Sequence, residues 1–251
     1  MTCHQRLSRN CVACRVRGLV LMAALLAVAL VVSLSPARAG DRPVVVELFT
    51  SQGCSSCPPA DRLLYELSHR EDLIVMSLHV DYWDYLGWRD VFASPAFTAR
   101  QRGYAKAAGV STIYTPQVVV QGSDRVAGTR EMEIEARIAA HANLPEPVVL
   151  RLERSGARLH ISAKWYAHGT RPSEVLLVRV TPRAEVTIEA GENAGRMATY
   201  VNIVRNITRA AVWDGLAPLD LVIDLPEDGP DLVMIQAMGH GPILAARRLP
   251  R

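Results

Sequence analysis

Cysteine is scarce in this sequence of 251 residues. Five cysteines occur, but Cys3, Cys11 and Cys14 lie in the first 39 residues, so only Cys54 and Cys57 remain in the rest of the chain. A small scaffold held together by disulfides needs more cysteines, spread along its length. The chain after position 39 is long enough to bury an apolar core. Folding is therefore not expected to depend on a disulfide framework.

A cluster of basic residues is also missing after position 39. The formal net charge is +3 for the whole chain and becomes −2 when the five arginines of residues 1–39 are left out. A slightly acidic chain without a basic patch has no electrostatic attraction for nucleic acid or for an anionic membrane surface. We therefore expect neither partner.

Long apolar runs are absent except for Gly18 to Leu34. Arginines precede this run, and Ala37 and Ala39 follow it with the small-x-small spacing that a signal peptidase reads. We predict that residues 1–39 are a signal peptide cleaved after Ala39, with an uncleaved anchor helix as the alternative. The mature protein is then expected to be periplasmic or secreted, without stable membrane insertion.

Residues 40–144 alternate between strand and helix patterns. A buried strand over Pro43 to Thr50, a helix over Ala60 to His69 and a strand over Leu73 to Val80 predict a right-handed βαβ unit with parallel strands. Further helices are predicted over Pro95 to Ala108 and Arg130 to Ala142, with a strand over Pro116 to Gln121. This pattern predicts an α/β thioredoxin-like domain.

Residues 145–251 contain about eight short β-type runs separated by turn signals, among them Val175 to Val180 and Met197 to Val204. Short strands at this spacing are typical of a small antiparallel sandwich. We therefore predict a smaller, mostly β, sandwich-like domain that begins after the Pro145-Glu146-Pro147 segment.

Cys54 and Cys57 follow the first predicted strand directly and precede the first predicted helix. A helix N-terminus offers free N–H groups and the positive end of its dipole, which favour a thiolate. Cys54 is predicted to attack as the more exposed sulfur, and Cys57 to resolve the mixed disulfide. Pro58 and Pro59 weaken this prediction, because a residue before proline avoids the helical region. A static disulfide is the alternative.

Three further parts of the sequence have candidate roles beside the two cysteines. Glu47, seven residues before Cys54, is a candidate proton acceptor if it is buried, and a solvent-facing glutamate otherwise. Thr115-Pro116 opens the third strand, where a cis proline would face the dithiol and present its backbone to a substrate. Pro116 could also simply begin an edge strand.

The segment from His79 to Trp88 is rich in aromatic and acidic residues and leaves the carboxyl end of the second strand, where open α/β sheets place their sites. We predict substrate contacts from His79, Asp81, Tyr82 and Trp83, with His79 or Asp81 as a proton shuttle. The dithiol would be surrounded by the side chains of Trp83, Tyr85 and Trp88. The alternative is that these aromatic residues only pack the segment onto the sheet.

Several of these segments together resemble a family of exported bacterial proteins, domain of unknown function 1223. The similarity rests on Val46 to Asp61, His79 to Asp84, Tyr114 to Gln117, Gly195-Arg196 and Asn202 to Arg205. It covers nearly all of the chain after the predicted signal peptide. The resemblance implies a thioredoxin-like domain followed by a β-rich one, and it implies no established activity.

The sequence therefore predicts an exported thiol-disulfide oxidoreductase whose only redox group is the Cys54–Cys57 disulfide, without a separate cofactor. Its expected partners are protein thiols or disulfides of the cell envelope. Two alternatives remain open. One is a copper- or zinc-binding protein that uses Cys54, Cys57, His79 and Asp81, and the other is an interaction module with a structural disulfide.

Overall fold

Apolar, β-branched segments and amphipathic helices alternate through the first half of the structure. This structure is a computed structural model, and it describes residues 42–167 and 169–250. The predicted signal peptide, residues 1–39, lies outside the described residues. None of the helices in the described residues is long and apolar enough to cross a membrane.

Eleven β-strands and three α-helices form in the described residues. The strands are β1 (Val44–Thr50), β2 (Leu73–His79), β3 (Gln117–Val120), β4 (Asp124–Ala127), β5 (Val148–Ser155), β6 (Arg158–Trp165), β7 (Ser173–Thr187), β8 (Met197–Trp213), β9 (Leu219–Asp224), β10 (Leu232–Ala237) and β11 (Ile243–Arg248). The α-helices are α1 (Pro58–Leu67), α2 (Pro95–Ala107) and α3 (Glu131–Ala142), and Asp84–Leu86 form a short 3-10 helix.

The predicted βαβ unit is confirmed. Strands β1 and β2 pair in parallel along their whole length, from Val44 opposite Leu73 to Thr50 opposite His79, with α1 between them in the chain. Every residue of both strands is buried, which explains why their sequences read as almost continuous apolar runs.

The two faces of β1 pack against different helices, because successive side chains of a strand point to opposite sides. Val44, Val46 and Leu48 pack with Leu64 of α1 and with α3. Val45 and Phe49 pack with Phe97 and Tyr104 of α2. Glu47 therefore lies on the α2 face of the sheet.

The predicted fold class, an α/β thioredoxin-like domain followed by a smaller sandwich-like domain, is wrong. The protein is mostly β, with an eight-stranded mixed sheet in the order β11-β10-β7-β8-β2-β1-β3-β4 and a three-stranded sheet in the order β5-β6-β9. Strand β8 joins β2 in parallel, with Ile203 opposite Ser77. Strands of the second half therefore extend the sheet of the first half, and the helices flank only part of it.

The three-stranded sheet packs on the distal part of the large sheet. Leu150, Leu159 and Ile161 share one apolar cluster with Val233 of β10 and Leu244 of β11. Residues 42 onward form one compact unit. The predicted boundary between residues 144 and 145 stays a prediction, although sheet pairing crosses it.

Candidate functional site

Cys54 and Cys57 are joined in a disulfide, with 5.4 Å between their Cα atoms. They lie in residues 51–57, here called the dithiol loop, between the end of β1 and the start of α1, as the sequence predicts. Cys57 is the N-cap residue of α1, and Pro58 is its first residue. Because Pro58 and Pro59 carry no N–H group, the sulfurs gain the helix dipole but few hydrogen-bond donors from the first turn.

Both cysteines are buried. Cys54 is 1% exposed and Cys57 is 0% exposed, while Ser55 and Ser56 between them are exposed. The difference in exposure that favoured Cys54 as the attacking residue is therefore negligible. A partner can reach the sulfurs only if the residues that cover them move.

Two segments contact the loop that holds the cysteines, and we infer that they cover the sulfurs. One contains Asn193, in the connection between β7 and β8. Its Nδ2 donates hydrogen bonds of 2.9 Å to the carbonyl oxygens of Gln52 and of Cys54. Asn193 is 1% exposed. The sequence predicts no role for Asn193, because the segment from Gly191 to Gly195 indicates only a turn.

The other is the aromatic segment after β2. A Cβ added at Gly53 would lie 3.1 Å from the Cβ of Trp83, so Trp83 sits directly on the dithiol loop. Trp88 Nε1 donates to Gln52 Oε1 at 2.7 Å. Trp83 and Trp88 lie against the loop as the sequence suggested, whereas Tyr85 is 77% exposed.

Thr115 and Pro116 lie close to this site. Their peptide bond is cis. Trp83 Nε1 donates to Thr115 Oγ1 at 2.7 Å, which joins the aromatic segment to the start of β3. A Cβ added at Gly128 would lie 2.7 Å from Pro116 Cβ and 3.0 Å from Ala60 Cβ, so these residues meet beside the first turn of α1.

Gly128→Ala is expected to lower the free energy of unfolding by about 1–3 kcal/mol, the usual cost of forcing an added methyl group into a packed site. Chemical denaturation of the oxidised protein measures this change. Wild-type stability in the variant would show that Pro116 and Ala60 can move apart freely, and would contradict the tight packing at this corner.

Glu47 is buried, which is the environment that a role as proton acceptor requires. Both oxygens of its carboxylate, however, already accept hydrogen bonds. Oε1 accepts a 2.7 Å hydrogen bond from Arg100 Nε, and Oε2 accepts one from the Tyr104 hydroxyl. Burial raises the pKa of Tyr104 well above its ordinary value, so the hydroxyl stays protonated. Glu47 is therefore the anion of a buried ion pair, and the structure gives no support for its role as proton acceptor.

His79 is connected to the dithiol loop through Asp90. His79 Nδ1 and Asp90 Oδ2 are 2.7 Å apart, and both side chains are fully buried. The same oxygen accepts the N–H of Gln52 at 2.8 Å. His79 Nε2 is buried without a hydrogen-bond partner in the described residues. Asp90, like Asn193, was not predicted as a site residue.

Asp81 and Tyr82 are directed toward α2 instead. The Thr98 hydroxyl donates to Asp81 Oδ1 at 2.5 Å, and the Tyr82 hydroxyl donates to Gln101 Oε1 at 3.3 Å. The structure therefore brings His79 and Trp83 to the dithiol loop, whereas Asp81 and Tyr82 bind the neighbouring helix.

Asp61 is the acidic residue that sequence reasoning missed. Its N–H donates to the Cys57 carbonyl at 3.0 Å, and residues four positions apart lie on the same face of a helix. Its Oδ1 is shielded from solvent and has no hydrogen-bond partner among the described residues. Burial raises the pKa of Asp61 to about 7, although the charge of His79 and the Thr50 hydroxyl oppose the shift. The spacing of four from Cys57 could have indicated it.

The raised pKa of Asp61 predicts a pH-dependent stability. Because the folded state holds this proton more tightly than the unfolded chain, the contribution of Asp61 to stability should be greatest below about pH 4, fall toward pH 7 and then level off. Asp61→Asn should remove this fall and make the protein more stable than wild type at pH 8 by up to about 4 kcal/mol, the free energy that corresponds to a rise in pKa from 3.8 to about 7. Denaturation at a series of pH values measures both. Parallel pH profiles for the two proteins would contradict the raised pKa.

A cavity of about 300 Å³ adjoins the dithiol loop. Ser51, Pro58, Asp61 and Asn193 line the side next to the loop, and residues of β7, β8 and α1 form the other walls. Asp61 therefore lies between the cavity and the helix turn that begins at Cys57.

The four residues of the metal-binding alternative do not converge. His79 is bound to Asp90 and Asp81 to Thr98. Within residues 42–167 and 169–250 there is no group of three His, Cys, Asp or Glu side chains arranged to hold a metal ion.

Comparison with known proteins identifies the family. Residues 45–235 match the family described as "Protein of unknown function (DUF1223)", and the chain belongs to this family. The resemblance found in the sequence is confirmed. No curated protein matches the chain.

Two solved structures are similar. Protein AGR_C_4864 from Agrobacterium tumefaciens is 30% identical with a TM-score of 0.67, and the match covers 82% of this chain and 93% of that one. HBP35 of Porphyromonas gingivalis is 14% identical with a TM-score of 0.58, over 83% of this chain and 76% of that one. The second likeness concerns the fold alone.

Proposed function

We propose that the protein is a thiol-disulfide oxidoreductase whose redox group is the Cys54–Cys57 disulfide. The observation that carries the proposal is that Asp61, whose N–H binds the Cys57 carbonyl one helical turn after the disulfide, lacks a hydrogen-bond partner for Oδ1 in the described residues. A structural disulfide needs no acid beside it, and a shielded carboxyl without a partner costs stability. An acid with a pKa of about 7 can both give and take a proton near neutral pH.

The reaction requires a partner protein with two thiols. One partner thiolate attacks Cys54 Sγ, the Cys54–Cys57 bond breaks, and Cys57 leaves as a thiolate. Asp61 then donates its proton to Cys57. The second partner thiol then gives its proton back to Asp61, and its sulfur attacks the partner sulfur of the mixed disulfide and releases Cys54 as a thiolate. Cys54 takes up from water the proton that the first partner thiol released. The partner is then oxidised to a disulfide, and this protein has gained two electrons and two protons. In the reverse direction Asp61 accepts the proton of Cys57.

The burial of both sulfurs adds a condition to this proposal. Asn193 and Trp83 hold the dithiol loop, so exchange needs a movement of at least one of the two covering segments. Thr115 and Pro116, bound to Trp83 through the Thr115 hydroxyl, would then lie beside the arriving partner. The expected partners are protein thiols or disulfides in the periplasm or outside the cell.

A structural disulfide in a non-catalytic protein is the second candidate, and the same burial favours it. The two differ in redox potential, because structural disulfides typically have potentials below about −300 mV. They also differ in whether a partner becomes covalently attached when Cys57 is absent.

The test is equilibration of the native protein with thiol-disulfide buffers, together with the oxidation of a reduced, thiol-containing protein. We expect a potential above about −300 mV, a rate above that of the Cys54→Ser/Cys57→Ser control, and a trapped mixed disulfide on Cys54 in the Cys57→Ser variant. A lower potential, a rate equal to the control and no trapped adduct would establish the structural role instead.

A further inference from the structure

The cavity beside the dithiol loop has an inner end made of hydrogen-bond acceptors. The Oδ1 atoms of Asn193 and Asp61 are both shielded from solvent, and neither has a partner within the described residues. The orientation of the Asn193 amide is fixed, because its Nδ2 already donates two hydrogen bonds to the dithiol loop. A buried acceptor without a donor costs about 1–3 kcal/mol, so this end of the cavity is suited to a ligand that donates a hydrogen bond.

The rim of the cavity is positively charged. Arg62, Arg183 and Arg196 line it, and all three are exposed. Arg183 is paired with Glu185 at 2.7 Å, whereas Arg62 and Arg196 have no carboxylate within ion-pair distance in the part of the chain that the structure describes. Guanidinium groups at such a rim bind carboxylates well, because their parallel N–H donors match the two oxygens.

The walls between these two ends are largely apolar. Tyr65, Ile188, Met197 and Tyr200 contribute to them, and the Arg183 guanidinium stands 5.8 Å from the centre of the Tyr65 ring. A volume of about 300 Å³ is at the lower end of the range for small-molecule sites, and apolar walls with a few placed polar groups are typical of them.

We infer that this cavity is a binding site for a small organic carboxylate that has an apolar body and an N–H donor, such as an acylated amino acid or the carboxyl end of a short peptide. The N–H donates to Asn193 Oδ1, the apolar body lies between Tyr65 and Tyr200, and the carboxylate binds Arg196 and Arg62 at the rim. The site lies next to the disulfide, but its ligand needs no sulfur chemistry.

Three related probes test each part of this inference by isothermal titration calorimetry. N-acetyl-phenylalanine carries the donor, the ring and the carboxylate. Its amide, N-acetyl-phenylalanine amide, lacks the carboxylate, and 3-phenylpropionate lacks the N–H donor. We expect saturable binding of N-acetyl-phenylalanine with one site per chain, and binding about tenfold weaker for each of the other two probes, since a hydrogen bond to a charged group or a buried acceptor is lost.

Arg196→Gln should weaken binding of N-acetyl-phenylalanine about tenfold and leave binding of its amide unchanged. The matched control is Arg209→Gln, an exposed arginine that pairs with Glu174 outside the cavity, and it should bind like wild type. The Cys54→Ser/Cys57→Ser protein should also bind, which separates this site from the proposed redox function. Equal affinity for the three probes, no saturable binding, or no effect of Arg196→Gln would each overturn the inference.

Discussion

Glu47→Gln is expected to lower the free energy of unfolding by about 3–5 kcal/mol, the cost of leaving one charge of a buried ion pair without its partner. Glu47 is fully buried and its partner Arg100 is 8% exposed. The variant keeps the size of the side chain but removes the negative charge that balances the guanidinium. Chemical denaturation of both oxidised proteins measures the change.

An exposed ion pair provides the matched control for Glu47. Glu133→Gln removes the same charge from the pair with Arg130, whose side chain is 69% exposed, and should change stability by less than about 1 kcal/mol. The double variant Glu47→Leu/Arg100→Met should recover part of the loss, because no charge then remains unpaired. A similar, small effect of both single variants would show that water reaches the Glu47 pair.

Asn193→Ala is expected to accelerate reduction of the Cys54–Cys57 disulfide by dithiothreitol about 10- to 30-fold. The substitution removes two hydrogen bonds from the dithiol loop. Each hydrogen bond contributes about 1 kcal/mol, so the loss of both raises the equilibrium constant for opening of the cover by about the same factor as the reduction rate. The rate is followed by alkylating the released thiols at intervals.

Two controls separate local opening from general destabilisation. Asn143→Ala also removes a side-chain amide that donates to a backbone carbonyl, that of Ala139 at the end of α3, and should leave the reduction rate unchanged. The rate in Asn193→Ala should be insensitive to low concentrations of denaturant, because only the cover opens. If Asn193→Ala is reduced as slowly as wild type, this residue does not control access to the sulfurs.

The local elements were readable from the sequence because they depend on neighbouring residues. The buried runs of β1 and β2, the helix between them and the position of Cys57 at its start follow from apolar spacing and from Pro58. The pairing of β2 with β8 was not readable. It joins Ser77 to Ile203, and nothing in either local pattern specifies a partner so far along the chain.

The lengths of β7 and β8 were underestimated for a related reason. The predicted strand Met197 to Val204 continues to Trp213, through Arg205 and Asn206, which are exposed. The prediction depends on an unbroken apolar run, and these polar residues end that run. The antiparallel pairing of β8 with β7 nevertheless continues past them. The fold class was wrong because these long strands belong to the large sheet and not to a separate small one.

The candidate site was only partly predictable. Cys54 and Cys57 form the disulfide of the dithiol loop, Trp83 packs on this loop, and His79 is connected to it only through Asp90. The ion pair of Glu47 was not predictable, because its partner Arg100 lies on a helix whose face toward the sheet cannot be deduced from spacing alone. Asn193 comes from the second half of the chain, and only the three-dimensional pairing shows that it reaches the carbonyl of Cys54.

The order of synthesis gives the Asn193 contacts a further consequence. The two cysteines are three positions apart, so their bond can form when little more than the first strand and helix has been made. Asn193 lies 139 positions after Cys54, and chains are made from the N-terminus. An oxidant can therefore react with exposed sulfurs before Asn193 has been added to the chain. A reductant that acts later finds the same sulfurs buried in the folded protein.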